Sequence, residues 1–420
     1  MRILVLGINY APEPIGIGPC NTALCNWLRS QGHDVDVITA FSYYPSWKKN
    51  PGDASRWFRT EEIHGVHVHR CWLYVPRRPA AWRRILHEAS FAATALVRSL
   101  LLAPADVCIV VSPPLVLGLA GWILRVVKRA PFLFHVQDMQ PDAAVALGML
   151  KRGAVSKSLY ALEALVYRMA NRVSGITRGM MQIFRDKGLS QSKLVLLPNS
   201  VCLPPASMLE SRGAFRARHN IGPDRFVAAY SGNVGAKQGI EVLFGACELL
   251  PDQRVSLVIC GDGAHRDQLN RKARPDSAVP LLLPLQPRQE YEQMLVDADC
   301  CIITQKTGTG ACFFPSKLLT AAAFGKAVIA VADDDSELAK VVRDGGFGVV
   351  VEPGNPQAVA ATLQRMAANR PWVVEMGCRA RRYAGRFESH RVLAGFEYAL
   401  REMMSPVDPH FSVSRLSVAE

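Results

Sequence analysis

The sequence has 11 cysteines but no C-x-x-C pair and no His/Cys cluster at zinc spacing. Scattered thiols exclude a disulfide-stapled scaffold and a structural zinc site; they fit a reducing cytosol, with most of them serving as small core residues. Two phosphate motifs are also missing. No Walker loop (G-x-x-x-x-G-K-[ST]) occurs, and no G-x-G-x-x-G directly follows a strand. The N-terminus, MRILVLGINY, runs into an apolar strand without a basic leader or cleavage site, so no signal peptide is expected. There is no short-period repeat. Charged residues make up only 20% of the 420 residues against 49% apolar, which excludes disorder and supplies core for two or three domains.

The charge that is present is lopsided. Of the formal +13, residues 1–200 carry 24 Lys and Arg against 12 Asp and Glu, whereas residues 201–420 carry 25 against 24. A basic half beside a neutral one suits a polyanionic partner, either an anionic membrane or a nucleic acid; an ordinarily solvated surface is the alternative. Few aromatics interleave with the basic groups and no nucleic-acid motif is present, which argues against nucleic acid.

In the first half, RILVLG reads as a buried parallel strand, CNTALCNWLRSQGH as a helix stopped at Gly32, and DVDVITA as the next strand. The connecting loop places Gly16 and Gly18 just ahead of the helix, where backbone amides can approach a ligand or simply make a turn. The basic and aromatic run from Arg77 to Ala103 predicts a helix on which Trp82, Ile85, Leu86, Phe91, Ala95 and Leu96 share much of one side. Its apolar core is too short to span a bilayer. It can lie on one, with Trp82, Arg83 and Arg84 at the headgroups, or pack on its own sheet. PFLFHVQD is a strand ending in polar residues, where open α/β sheets place ligands. There His135 is either a base or a satisfied core histidine, and Asp138 either orients a sugar hydroxyl or caps the next helix.

VCLPPASMLESRG reads as a crossing between domains, after which the strand, glycine loop and helix pattern restarts. In SGNVGAKQG, Gly232, Gly235 and Gly239 open the backbone while Lys237 supplies a point charge for a diphosphate. A second basic loop follows: CCIIT is a strand, Lys306 follows it, and Pro315 and Ser316 open a helix that Gly325 stops, with the Ser316 hydroxyl expected to cap the free amides of its first turn. With Lys317 in its first turn, this helix start can hold a phosphate or stand unused.

Two α/β patterns, a glycine loop near the start, YSGNVGAKQG, VICGDG and PSKLLTAAAFGKAVIA, in that order, resemble glycosyltransferase family 4 of GT-B architecture; GINYAPEPIGIG, SYYPSW, HVQDMQPDA, SGNVGAKQG and QKTGTGACFFPSKL resemble more closely the colanic acid biosynthesis glycosyltransferases, often described as fucosyltransferases. The resemblance covers residues 1 to about 400. It implies an α/β fold of two Rossmann-like doubly wound domains facing a cleft, with a C-terminal helix returning to the N-terminal domain. The expected boundaries are 1–205, 206–388, a crossing helix at 389–404 and a flexible tail at 405–420.

The same resemblance implies retaining transfer from a GDP- or UDP-linked sugar, without metal or other cofactor, to a polyprenyl-diphosphate-linked saccharide at the inner face of the cell membrane. The first domain takes the acceptor and the second the donor. Catalysis then consists of stabilising charge on the departing diphosphate. Lys237, Asn233, Gln238 and the amides of Ser316, Lys317 and Leu318 match those positions. The broader family's two glutamates fall at Cys312 and Thr320, neither acidic, which leaves ribose recognition to Thr320, Ser316 or another group. The family's His-Asp step reads Gln137, Asp138. Two rivals remain: a nucleotide-sugar 2-epimerase, which needs acid/base carboxylates and no acceptor, and a non-catalytic nucleotide-sugar-binding module.

Overall fold

The computed structural model describes residues 1–404, apart from 77–80, 147, 149, 151–152, 236–237, 251–253, 264–279, 309 and 311–314. The chain divides into two units, Met1–Asn199 with the segment from Ser389, and Ser200–Glu388.

The first unit is built on an eight-stranded sheet: β1 (Arg2–Leu6), β2 (Asp34–Ala40), β3 (Phe58–Ile63), β4 (Val66–Cys71), β5 (Val107–Ser112), β6 (Phe132–Val136), β7 (Arg172–Gly175) and β8 (Leu194–Leu196). The spatial order is β3-β4-β2-β1-β5-β6-β7-β8, and only the β3/β4 pair is antiparallel. β1, β5 and β6 are almost wholly buried, as expected of parallel strands covered on both faces. Helices α1 (Gly18–Ser30), α2 (Ala81–Leu101), α3 (Leu117–Lys128) and α4 (Gln140–Ala146) are among those that cover it. The last described helix, Ser389–Met404, packs against α1 and β5 through an apolar face that includes Val392, Leu393 and Phe396.

In α2 the apolar residues do not share one side. Phe91, Ala92 and Ala95 are buried, but Trp82, Ile85 and Leu86 are 61%, 50% and 46% exposed. The reason is periodicity: Trp82 and Phe91 are separated by about two and a half turns and so project from opposite faces. The first turns of α2 therefore show apolar groups to solvent. Among the described residues, no helix is long and apolar enough to cross a membrane.

The second unit carries a six-stranded, wholly parallel sheet in the order β11-β10-β9-β12-β13-β14. Its strands are β9 (Phe226–Ser231), β10 (Val255–Cys260), β11 (Leu281–Leu283), β12 (Cys300–Thr304), β13 (Ala327–Val331) and β14 (Gly348–Val351). Alternate side chains feed two separate cores. Phe226, Ala228 and Tyr230 enter one, and Val227 and Ala229 the other. After β9 the chain winds outward to β10 and β11; from β12 it winds the opposite way. The strand order thus reverses between β9 and β12, the place where such sheets bind ligands beyond the strand carboxyl ends.

Candidate functional site

The loops leaving β9 and β12 are the two that sequence reading singled out, and the reversal brings them together. Tyr230, the penultimate residue of β9, is fully buried. Its hydroxyl donates to the Asn233 carbonyl at 2.8 Å and accepts from Lys317 Nζ at 3.0 Å. The Lys317 ammonium also lies 4.4 Å over the Tyr230 ring, a cation-π contact. One tyrosine therefore fixes both the glycine loop and the lysine at the start of the helix Lys317–Ala323.

Gly232 explains why no side chain is tolerated between them. Its φ is +129°, and a Cβ would overlap Lys317 Cε and Nζ. Gly239 returns the loop to lie against the Lys306 backbone, with a Cβ position 3.7 Å from Lys306 Cα. The Gln238 amide donates to the Gly235 carbonyl at 3.1 Å, while its side-chain Oε1 is buried with no hydrogen-bond partner among the described residues. A buried unpaired carbonyl is costly, and a ligand donor would relieve that cost. Lys237 and Cys312 lie outside the described residues.

Ser316 departs from its expected role. Its backbone is already helical (φ −55°, ψ −23°) and its side chain makes no capping bond. The Leu318 amide is instead taken by the Pro315 carbonyl at 3.0 Å, so it is less available to a phosphate than a free helix-start amide. The Leu318 side chain is core, and Thr320 is half-buried with no side-chain hydrogen bond among the described residues.

Gly16, Gly18, His135 and Asp138 lie in the first unit. Gly16 has φ +76° and packs on the Tyr44 ring; Gly18 begins α1 and fits closely against the Glu13 carbonyl. Sequence reading missed Glu13, which organises this loop. Its Oε1 accepts from the amides of Tyr43 and Tyr44, both at 3.0 Å, and its Oε2 from Asn9 Nδ2 at 2.7 Å. Burial nevertheless holds its carboxyl above the usual range. Asp138, just after β6, is half-buried, makes no side-chain hydrogen bond among the described residues, and is near enough to Tyr44 to raise its pKa, after burial and Glu13.

His135 is a core histidine. It is 2% exposed, Nδ1 meets Ser174 Oγ at 2.9 Å, and Nε2 accepts from Gln137 Nε2 at 2.8 Å. Gln137 and Asn199 in turn exchange two hydrogen bonds of 2.9 Å. Burial lowers the imidazole pKa to about 3, so the ring is neutral and has no face open to substrate. The basic pair on α2 is split: Arg83 lies 5.1 Å over the Trp82 ring, whereas Arg84 lies 5.7 Å over Trp47.

Two family models match, the glycosyl transferase 4-like domain over residues 16–200 and the glycosyl transferases group 1 domain over residues 211–384. The chain is 32% identical over 375 residues to WcaI of Escherichia coli K12, named a colanic acid biosynthesis glycosyl transferase; the match covers 87% of this chain and 92% of that protein. This chain belongs to the GT-B glycosyltransferases. The glycosyltransferase also superimposes on sucrose-phosphate synthase from Thermosynechococcus elongatus, with a TM-score of 0.73 at 18% identity, covering 96% of this chain and 99% of that one. Anabaena Alr3699/HepE, solved in complex with UDP-glucose, matches with a TM-score of 0.68 at 15% identity over 96% and 100% of the two chains. These likenesses show the fold.

Proposed function

We propose that this glycosyltransferase moves a sugar, with fucose a candidate, from a GDP- or UDP-linked donor to a polyprenyl-diphosphate-linked saccharide in exopolysaccharide biosynthesis, with retention of configuration. The observation that carries the donor assignment is the convergence of the β9 and β12 loops on Tyr230 and Lys317. Support for polysaccharide biosynthesis comes from the name of the relative WcaI. A nucleotide-sugar donor is supported by the UDP-glucose complex of HepE.

The proposed chemistry is charge stabilisation at the leaving group. As the bond between the sugar and the diphosphate breaks, negative charge grows on the diphosphate; Lys317 and Lys237, with the amides around Gly232, Asn233 and Ser316, meet it with fixed positive charge and N–H donors. Gln238 Oε1 can accept from a donor hydroxyl, and Lys306, Thr320 and the Cys312 backbone are assigned to the remainder of the nucleotide-sugar. The first unit holds the acceptor, with Asp138 oriented toward its attacking hydroxyl and Gly16 and Gly18 shaping the loop beside it. His135 acts at one remove, by holding Gln137. No metal or cofactor is required by this scheme.

Trp82 and Arg83 are proposed to bring the first unit to an anionic membrane surface at the cytoplasmic face; Arg84, expected from the sequence to join them, turns to Trp47 instead and is left out of that contact. The test is a thermal-shift screen of GDP and UDP followed by transfer of radiolabel from the preferred nucleotide-sugar to extracted lipid-linked saccharide. Label must appear in the lipid fraction with both substrates present; conversion of donor without acceptor, or tight donor binding without transfer, would defeat the proposal.

A further inference from the structure

A group of cations in the first unit has no role in the donor chemistry. Arg84 is exposed over Trp47, and Lys49 lies 4.5 Å over the Trp72 ring. Neither has a carboxylate within salt-bridge distance among the described residues, although ion pairs are common elsewhere on this surface. Trp47, which carries Arg84 and precedes Lys49 by two residues, packs against His87. This histidine is 3% exposed, with ring centroids 4.7 Å from Tyr43 and 5.3 Å from Trp47. Its pKa is lowered first by burial and then, after the opposing Tyr74 carbonyl, by Arg84 and Lys49.

The imidazole Nδ1 faces the Tyr74 carbonyl at 2.5 Å, and Nε2 is buried with no hydrogen-bond partner among the described residues. The ring is thus neutral, and the local positive charge is that of Lys49 and Arg84. Glu88, one turn along α2 from Arg84, is held by Gln140 Nε2 at 2.7 and 2.9 Å and pushed by burial up to about 7. It therefore cancels only part of that charge at neutral pH. Lys49 is also partly withdrawn from water without a counter-ion, which lowers its pKa; an anion beside it would relieve that cost.

Resting on the acceptor class proposed above, we propose that Lys49 and Arg84 bind the diphosphate of the lipid-linked acceptor, and that Ile85, Leu86 and Trp82 carry the first units of its prenyl chain. The helix geometry supports the pairing. Ile85 follows Arg84 by about 100° around α2 and starts the exposed apolar face that Leu86 and Trp82 continue. An amphiphile with a compact anionic head fits a helix start where Arg84, beside the loop that carries Lys49, turns directly into an apolar face. A site for a bilayer alone would direct both arginines with Trp82; only Arg83 does so, and Arg84 turns to Trp47. The two arginines thereby acquire different duties.

The probe is farnesyl diphosphate, titrated into the full-length protein by calorimetry, with inorganic pyrophosphate, farnesol and anionic phosphatidylglycerol vesicles as separate arms. Farnesyl diphosphate is expected to bind saturably and more tightly than either fragment. Lys49→Ala and Arg84→Ala are each expected to weaken it at least about tenfold, equivalent to about 1.4 kcal/mol, with Arg84→Lys intermediate. In turnover assays the same variants should raise the KM for lipid acceptor while leaving the KM for donor in place. Lys317→Ala should leave farnesyl diphosphate binding unchanged.

Equal affinity in the Lys49 and Arg84 variants overturns the inference, as does farnesol binding as tightly as its diphosphate. Loss of farnesyl diphosphate binding in Lys317→Ala would place the diphosphate at the donor loops instead. If Arg84→Ala abolishes vesicle binding but leaves farnesyl diphosphate affinity intact, the residue serves the bilayer and the inference falls. Transfer to lipid-linked saccharide with unaltered KM in both cation variants would defeat this site and leave the proposed function standing; absence of transfer to any diphosphate-linked lipid would defeat the function itself.

Discussion

Tyr230 was absent from the residues that the sequence singled out, yet two of those residues depend on it. Its neighbours in FVAAYSGNVG announce a strand and a glycine loop, and the tyrosine reads as one more apolar core residue. Only the fold reveals that its hydroxyl reaches across to Lys317, 87 residues away in sequence. Tyr230→Phe removes one hydrogen bond to the Asn233 carbonyl and one from Lys317. The expected loss is about 1–2 kcal/mol in thermal stability, together with weaker nucleotide binding; a variant with wild-type affinity for its nucleotide would separate Tyr230 from the donor site. Lys317→Ala is expected to lower turnover by at least about tenfold, more than the loss of about 1 kcal/mol in stability from its hydrogen bond to Tyr230 accounts for; kcat and thermal melts check it.

His135 teaches the opposite lesson. An alternating strand placed it beside Gln137, and from the sequence it served as either a base or a core residue; Ser174 and Asn199, which decide the matter, come from distant segments. Because the folded ring has a pKa of about 3 against an ordinary 6.5, the unfolded chain binds the extra proton below pH 6.5. Stability from this residue is therefore full above about pH 6.5 and is lost as pH falls toward 3, by up to about 1.4 kcal/mol per pH unit. His135→Gln should flatten that part of the stability profile in urea unfolding measured from pH 7 to 5, whereas an unchanged slope would assign the acid sensitivity elsewhere.

At the level of elements, most of the strands and the glycine loops were legible because parallel strands are continuous apolar runs and glycines punctuate them. Less legible was the direction in which α2 faces. Composition offers Trp82, Phe91 and Ala95 as equivalent apolar residues, but helical phase separates Trp82 from the other two, and the sheet takes Phe91 and Ala95. The exposed turn is the part proposed to meet lipid. Trp82→Ala combined with Arg83→Glu is expected to reduce sedimentation with phosphatidylglycerol vesicles severalfold, more at 50 mM salt than at 500 mM if charge contributes, since screening shortens to about 4 Å at the higher salt. Unchanged sedimentation would remove these residues from the membrane contact. The helix start at Pro315 and Ser316 was read correctly as a start, but its cap was not: the Pro315 carbonyl does what the Ser316 hydroxyl was expected to do.

For the whole molecule, the two α/β sheets followed from the restart of the strand, glycine loop and helix pattern after residue 205, and the order of strands explains why the two informative loops of the second unit belong to one place. Neither loop is adjacent to the other in sequence. β9 and β12 are central neighbours in the sheet, and their windings diverge. A nucleotide bound there should stabilise the intact protein by about 2.7 kcal/mol at a hundredfold excess over Kd. Differential scanning fluorimetry with GDP and UDP should therefore give a clear shift for one base; no shift with either would count against the donor assignment.

The contact between Lys317 and Tyr230 also bears on the thermodynamic signature of recognition. A free lysine side chain carries roughly 2 kcal/mol of rotational freedom that a ligand would otherwise have to quench. Here the hydrogen bond and the ring hold the side chain as part of the fold, so much of that loss belongs to folding and little would remain for the proposed nucleotide. Releasing the lysine by Tyr230→Ala should then appear in calorimetry as a more unfavourable entropy of nucleotide binding, beyond any change in enthalpy.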